Sequence, residues 1–174
     1  MKLKENIIYL IFCLMSCTAF SQSTIALTLP VVTLLDIEPT GTFTLNFTAP
    51  TEAGQALTAP AANTTKWINY TSAIASGGLT RRITASINQL VPGISIRVQA
   101  AAASGSGGGT LGTSAGQVTL STTATNIITG IGGAFTGNGA NNGHRLTISV
   151  AVNTYANLSA LTNSPIVITY TITE

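Results

Sequence analysis

An all-β fold is what this sequence predicts, and three observations predict it. Apolar and polar residues alternate with period two in several short runs, the pattern of a strand with one face buried. β-Branched residues predominate in those runs, and Pro or Gly falls between them. No window carries a convincing helical stripe. Eight or nine such runs in 174 residues point to a single immunoglobulin-like antiparallel β-sandwich, with a closed barrel as the second choice. No fixed internal period is present, which argues against a solenoid or propeller.

The first 21 residues read as a signal peptide. Lys2 and Lys4 give a positive start, Ile7 to Met15 an apolar stretch, and Ala19-Phe20-Ser21 the small residues of a cleavage site. The stretch is about half of the roughly 20 residues that span a bilayer. Cleavage after Ser21 leaves one domain, residues 22–174, expected outside the cytoplasm: secreted, in the periplasm or on the outer cell surface. A competing reading takes Leu14-Met15-Ser16-Cys17 as a lipobox with a lipid-modified Cys17. No later segment is long and apolar enough for a transmembrane helix.

Strands are then expected in order along the chain. Ser23–Leu29 and Val31–Ile37 come first, separated by Pro30. Phe43, Leu45 and Phe47 alternate with Thr42, Thr44 and Asn46. Lys66–Thr71 follows, then Ile83, Ala85 and Ile87, then Ile94, Ile96, Val98 and Ala100, then Gln117–Ser121. Leu146, Ile148, Val150 and Val152 make another, and Ile166 to Thr173 is the clearest of all. Ala124–Ile131 alone is read as a short turn of helix. Twelve of the 17 Gly fall between Gly105 and Gly143, and are expected in long loops at the ends of the sandwich.

Processing changes the composition. Cys13 and Cys17 both precede the cleavage site, so the domain has no disulfide framework and must be held by its own core. Its cations are Lys66, Arg81, Arg82, Arg97 and Arg145, against Asp36, Glu38, Glu52 and Glu174. So few Lys and Arg exclude a phosphate-neutralising surface, and no nucleic-acid partner is expected.

Catalysis is poorly provided for. Gly107 to Gly112 formally matches G-x-G-x-x-G, but no helical pattern follows and the next acidic residue is Glu174. No Lys follows a Gly cluster, so a phosphate loop fails too. His144 with Asp36 and a Ser would be a minimal triad, yet no G-x-S-x-G elbow is present. His144 is expected to face solvent at a strand entry or loop tip. Asp36 and Glu38 share a strand face but lack the further oxygens that Ca²⁺ needs, and pairing with Arg81 and Arg82, or simply keeping an edge soluble, is the simpler role. No catalytic residue, cofactor or metal is therefore assigned. Trp67 and Tyr70 are candidate contacts for a sugar, though on a strand they point opposite ways and core packing is commoner. Ranks of Thr, as at Thr169, Thr171 and Thr173, also fit an ordinary solvated strand face better than an ice- or mineral-facing lattice.

The stretch from Thr80-Arg81-Arg82-Ile83-Thr84-Ala85-Ser86-Ile87 to the closing Val167-Ile168-Thr169-Tyr170-Thr171-Ile172-Thr173 resembles secreted bacterial β-sandwich proteins. It is most similar to spore coat protein U-type and fimbrial (pilin-like) subunits of the colonisation-factor type, and more loosely to WxL-type surface domains. Coat protein U-type domains usually carry Cys pairs, which residues 22–174 lack, and Trp67-Ile68-Asn69 does not match the WxL pattern. The resemblance implies an incomplete sandwich completed by an alternating strand from the next subunit. Ile25, Leu27 and Leu29 are the candidate donor residues. The expectation is a non-catalytic structural subunit of the cell surface, associating with itself or other surface proteins. The alternative is a carbohydrate-binding or adhesive module with a glycan partner.

Overall fold

The computed structural model describes Lys4, residues 21–162 and residues 164–174. The signal peptide and Cys17 lie outside the described residues, save Lys4 and Ser21. Nine strands form one antiparallel sheet: β1 (Val32–Glu38), β2 (Trp67–Ala73), β3 (Arg81–Ile87), β4 (Ile94–Ser104), β5 (Gly108–Ser114), β6 (Gln117–Thr119), β7 (Thr125–Phe135), β8 (Gly143–Val152) and β9 (Ile168–Thr173). Among the described residues a single 3₁₀ turn, Tyr155–Asn157, lies before β9. No helix among the described residues is long and apolar enough to cross a membrane.

The sheet forks at β2. One edge of β2 pairs along its whole length with β1. The other edge meets β8 at Trp67 and Ile68, then β7 at Thr71 and Ser72. From β8 one wing continues through β4 to β6. From β7 the other wing carries β5 on one edge and β3, then β9, on the other. Both wings give side chains to one core. Ile68 comes from β2, Ile83 from β3, Val98 from β4, Ile127, Ile128 and Ile131 from β7, and Leu146 from β8, each 0% exposed. Two wings closing on one core make the sandwich, and the all-β, antiparallel expectation holds.

Period two explains most of this. In β3, Ile83, Ala85 and Ile87 are buried while Arg82, Thr84 and Ser86 are not. In β9, Ile168, Tyr170 and Ile172 are half-buried and the three Thr between them are exposed. β7 breaks the rule, since Ile127 and Ile128 are adjacent and both buried. A register shift against β3, between the Ile83 and Thr84 pairings, turns both inward.

Four expectations of local structure need correction. Ala124–Ile131 is not helical but lies in β7 from Thr125 onward, because tertiary pairing on both edges outweighs a weak local preference. The glycine-rich stretches are not only loops. Gly108, Gly109 and Gly112 lie in β5, and Gly130, Gly132 and Gly133 in β7. These two strands approach closely, and a Cβ at Gly132 would stand 3.0 Å from that of Thr110. Ser23–Leu29 is not a strand, for it pairs with nothing among the described residues. Around Phe43, Leu45 and Phe47 the only ladder contact is an isolated bridge, Thr48 to Thr58.

The core holds one phenol without a partner. The hydroxyl of Tyr170 is buried and makes no hydrogen bond, whereas that of Tyr70 donates to the Leu111 carbonyl. Burial pushes both phenols well above their usual value of 10.0. The folded state thus keeps the neutral form, while the unfolded chain ionises first. Stability is fully present below pH 10.0 and declines as pH rises beyond it. Tyr170→Phe removes an unsatisfied polar atom at constant shape, so it is expected to be neutral or to stabilise by about 1 kcal/mol. Denaturant melts of the two proteins on either side of that pH check both points: the variant loses less stability under alkali.

Candidate functional site

Residues 21–31 form an arm that belongs to no helix or strand and is exposed at every position. Ile25, Leu27, Leu29 and Val31 are 87%, 78%, 82% and 60% exposed. They occupy alternate positions, so an extended backbone carries all four on one face. Folding normally hides such a row, and a contiguous exposed apolar strip marks an interaction surface.

The pairings at its root leave the arm no place in the ladder. β1 and β9 are both antiparallel partners of strands that follow one another along β7, so they run in the same direction. They meet end to end at Arg81. This side chain is 3% exposed. It donates to the Val32 carbonyl at the start of β1, to Ser72 Oγ at 3.1 Å, and to Glu174 Oε1 at 3.5 Å, just past β9. A straight continuation of β1 upstream of Val32 would run over the place that β9 holds against β3. The arm is therefore without a strand to pair with in its own sandwich. The expected pairing of Arg81 with Asp36 or Glu38 does not occur; Arg81 bridges to Glu174 instead.

Four strand edges are unpaired among the described residues: those of β1, β5, β6 and β9. Proteins guard such edges with charge, Pro, bulges or brevity. β1 carries Asp36 and Glu38. β5 is bulged between Gly109 and Leu111. β6 has three residues. β9, Ile168-Thr169-Tyr170-Thr171-Ile172-Thr173, has no charge, no Pro and no Gly. It is the unguarded edge.

Of the other candidates, Tyr70 and His144 lie in the interior. Tyr70 is 3% exposed, stacks on His144 with ring centroids 5.8 Å apart, and is not a surface contact. Trp67 opens β2 half-buried, between Glu38 and Arg145 in register. His144 is 0% exposed, contrary to its expected solvent-facing place. Its Nδ1 lies 2.8 Å from the Ala101 carbonyl, and its Nε2 3.1 Å from Tyr70 Oη and 3.2 Å from the Leu111 carbonyl. An irregularity in β4 between Ala100 and Ala103 frees the Ala101 carbonyl from the ladder to meet it. Asp36 Oδ1 accepts the Ile37 N–H at 2.7 Å. Lys66 is buried, and its Nζ donates to the carbonyls of Pro39 and Gly41 at 2.5 and 2.8 Å. Among the described residues no three His, Cys, Asp or Glu side chains come together to hold a metal ion.

Comparison with protein-family models, curated proteins and solved structures finds no match to this chain. The arm's alternation was legible in the sequence; the lack of a guard on β9 was not, because an edge exists only once the pairings are known.

Proposed function

We propose that the chain is a non-catalytic, exported structural subunit that associates with copies of itself by β-strand addition. The arm of one copy adds to the outer edge of β9 in the next. The observation that carries this reading is the exposure of Ile25, Leu27 and Leu29 on an arm with no strand partner. Laid along β9, these residues continue the half-buried row of Ile168, Tyr170 and Ile172, while backbone N–H and C=O groups complete the ladder. Donor and acceptor are different surfaces of the molecule, so the contact is head-to-tail and generates an open chain of subunits. Sparse charge on residues 22–174 leaves little repulsion between copies. Export rests on the signal-like residues 1–21.

The experiment compares residues 22–174 with a form lacking 22–30, and with Leu27→Asp. Sedimentation velocity and negative-stain electron microscopy are expected to show oligomers or fibres for the first and monomers for the other two, with unchanged circular dichroism. A mature protein that stays monomeric at high concentration contradicts the proposal, as does assembly that survives removal of the arm.

A further inference from the structure

A second surface lies on the opposite face of β1 and β2 from the core. Register places Leu34 beside Thr71 and Thr71 beside Phe135, one row across three adjacent strands. Asp36 stands beside Asn69 in the next row. With Asn138, from the segment joining β7 to β8, these residues line a cleft of about 580 Å³.

Each wall has a distinct chemistry. Phe135 is 53% exposed and Leu34 63%. The Phe135 ring lies over Gly108, where even a Cβ would stand 3.3 Å from Cε1. The ring is thus supported from beneath by bare backbone and open above. Asp36 uses one carboxylate oxygen for the Ile37 N–H and is in no ion pair among the described residues. Asn69 is 4% exposed, its Oδ1 has no partner, and its Nδ2 donates to the Asn142 carbonyl at 2.7 Å. Asn142 in turn donates from Nδ2 to the Asn138 carbonyl at 2.8 Å, and its Oδ1 accepts from the N–H and hydroxyl of Ser106 at 3.0 Å. Asparagine amides therefore hold the segment that closes the cleft, independently of any occupant.

We infer that this cleft binds an uncharged saccharide unit. An apolar C–H face would lie on Phe135 and Leu34, and hydroxyl groups would donate to the Asp36 carboxylate and pair with the Asn138 amide. No cation lines the cleft while a carboxylate does, which selects against acidic sugars and phosphates. The site is separate from the arm and from Trp67, and holds whether or not copies assemble.

The test uses residues 22–174 on an array of neutral oligosaccharides, followed by saturation-transfer NMR with the sugars retained. Asp36→Asn and Phe135→Ala are expected to weaken binding about tenfold or more, an effect of about 1.4 kcal/mol each. Trp67→Ala, outside the cleft, is expected to leave it unchanged. Circular dichroism and the Tm show whether each variant is folded, and Asp36→Asn, at an exposed position, keeps the test decisive if Phe135→Ala is not. Retention of no neutral sugar overturns the inference, as does binding lost only in Trp67→Ala. Loss of self-association in Phe135→Ala without loss of sugar binding also overturns it, since the cleft would then be an interface between copies.

Discussion

Gly143→Ala is expected to destabilise the fold by about 3–4 kcal/mol. Two terms combine. Gly143 has φ +76°, a left-handed conformation that costs an L residue about 1 kcal/mol. Its missing side chain is also a close approach. A Cβ there would overlap the Ile68 carbonyl oxygen and stand 3.1 Å from Thr136 Cβ and 3.2 Å from Asn69 Nδ2. None of these neighbours can yield easily. Ile68 is in the core strand at the fork, Thr136 is 0% exposed, and Asn69 holds the Asn142 carbonyl. Gly130 separates the two terms, since it has φ +73° but nothing within 4 Å of its Cβ position. Gly130→Ala should therefore cost only about 1 kcal/mol. Urea melts of the two variants against the parent measure the difference. Equal losses would mean that the fork is not tightly packed.

His144→Leu is expected to cost about 2–4 kcal/mol, chiefly by orphaning a buried acceptor. Leucine fills much of the space but leaves the Ala101 carbonyl facing an apolar group inside the core. It also removes the ring that Tyr70 stacks against and the nitrogen beside its hydroxyl. Tyr70→Phe is milder, at about 1 kcal/mol, because it leaves His144 Nδ1 on the Ala101 carbonyl at 2.8 Å. His144 joins β8 to β4 and β5, and Tyr70 brings in β2. The double variant should therefore lose less than the sum of the single losses. A chemical-denaturation cycle over the four proteins checks this, and strict additivity would contradict a shared network.

Most strands were legible because side-chain alternation survives wherever one face is buried. β3, β8 and β9 each pair that alternation with β-branched residues, and all three occur where expected. β5 and much of β7 were hidden, because glycine has no side chain to alternate and the same residues that favour loops also permit close strand approach. His144 was misread for a related reason. Its burial depends on the irregularity in β4 that frees the Ala101 carbonyl, which no pattern around position 144 announces.

The arm shows the reverse. Ile25, Leu27 and Leu29 have as regular an alternation as any strand here, yet they pair with nothing, because β9 already holds the edge of β3. Local pattern says that a segment suits a strand; topology decides whether a partner is left for it.

Disulfide trapping tests that partnership most directly, because residues 22–174 contain no cysteine of their own. Thr28→Cys lies on the face of the arm opposite Leu27 and Leu29, and Thr169→Cys and Thr171→Cys lie on the exposed face of β9. Mixing the arm variant with either β9 variant under mild oxidation is predicted to give a crosslinked heterodimer in at least one combination. Thr119→Cys, on the edge strand β6, should give none. Crosslinking to β6 and not to β9, or none with either β9 variant while the mixed proteins are assembled, would contradict strand addition at β9.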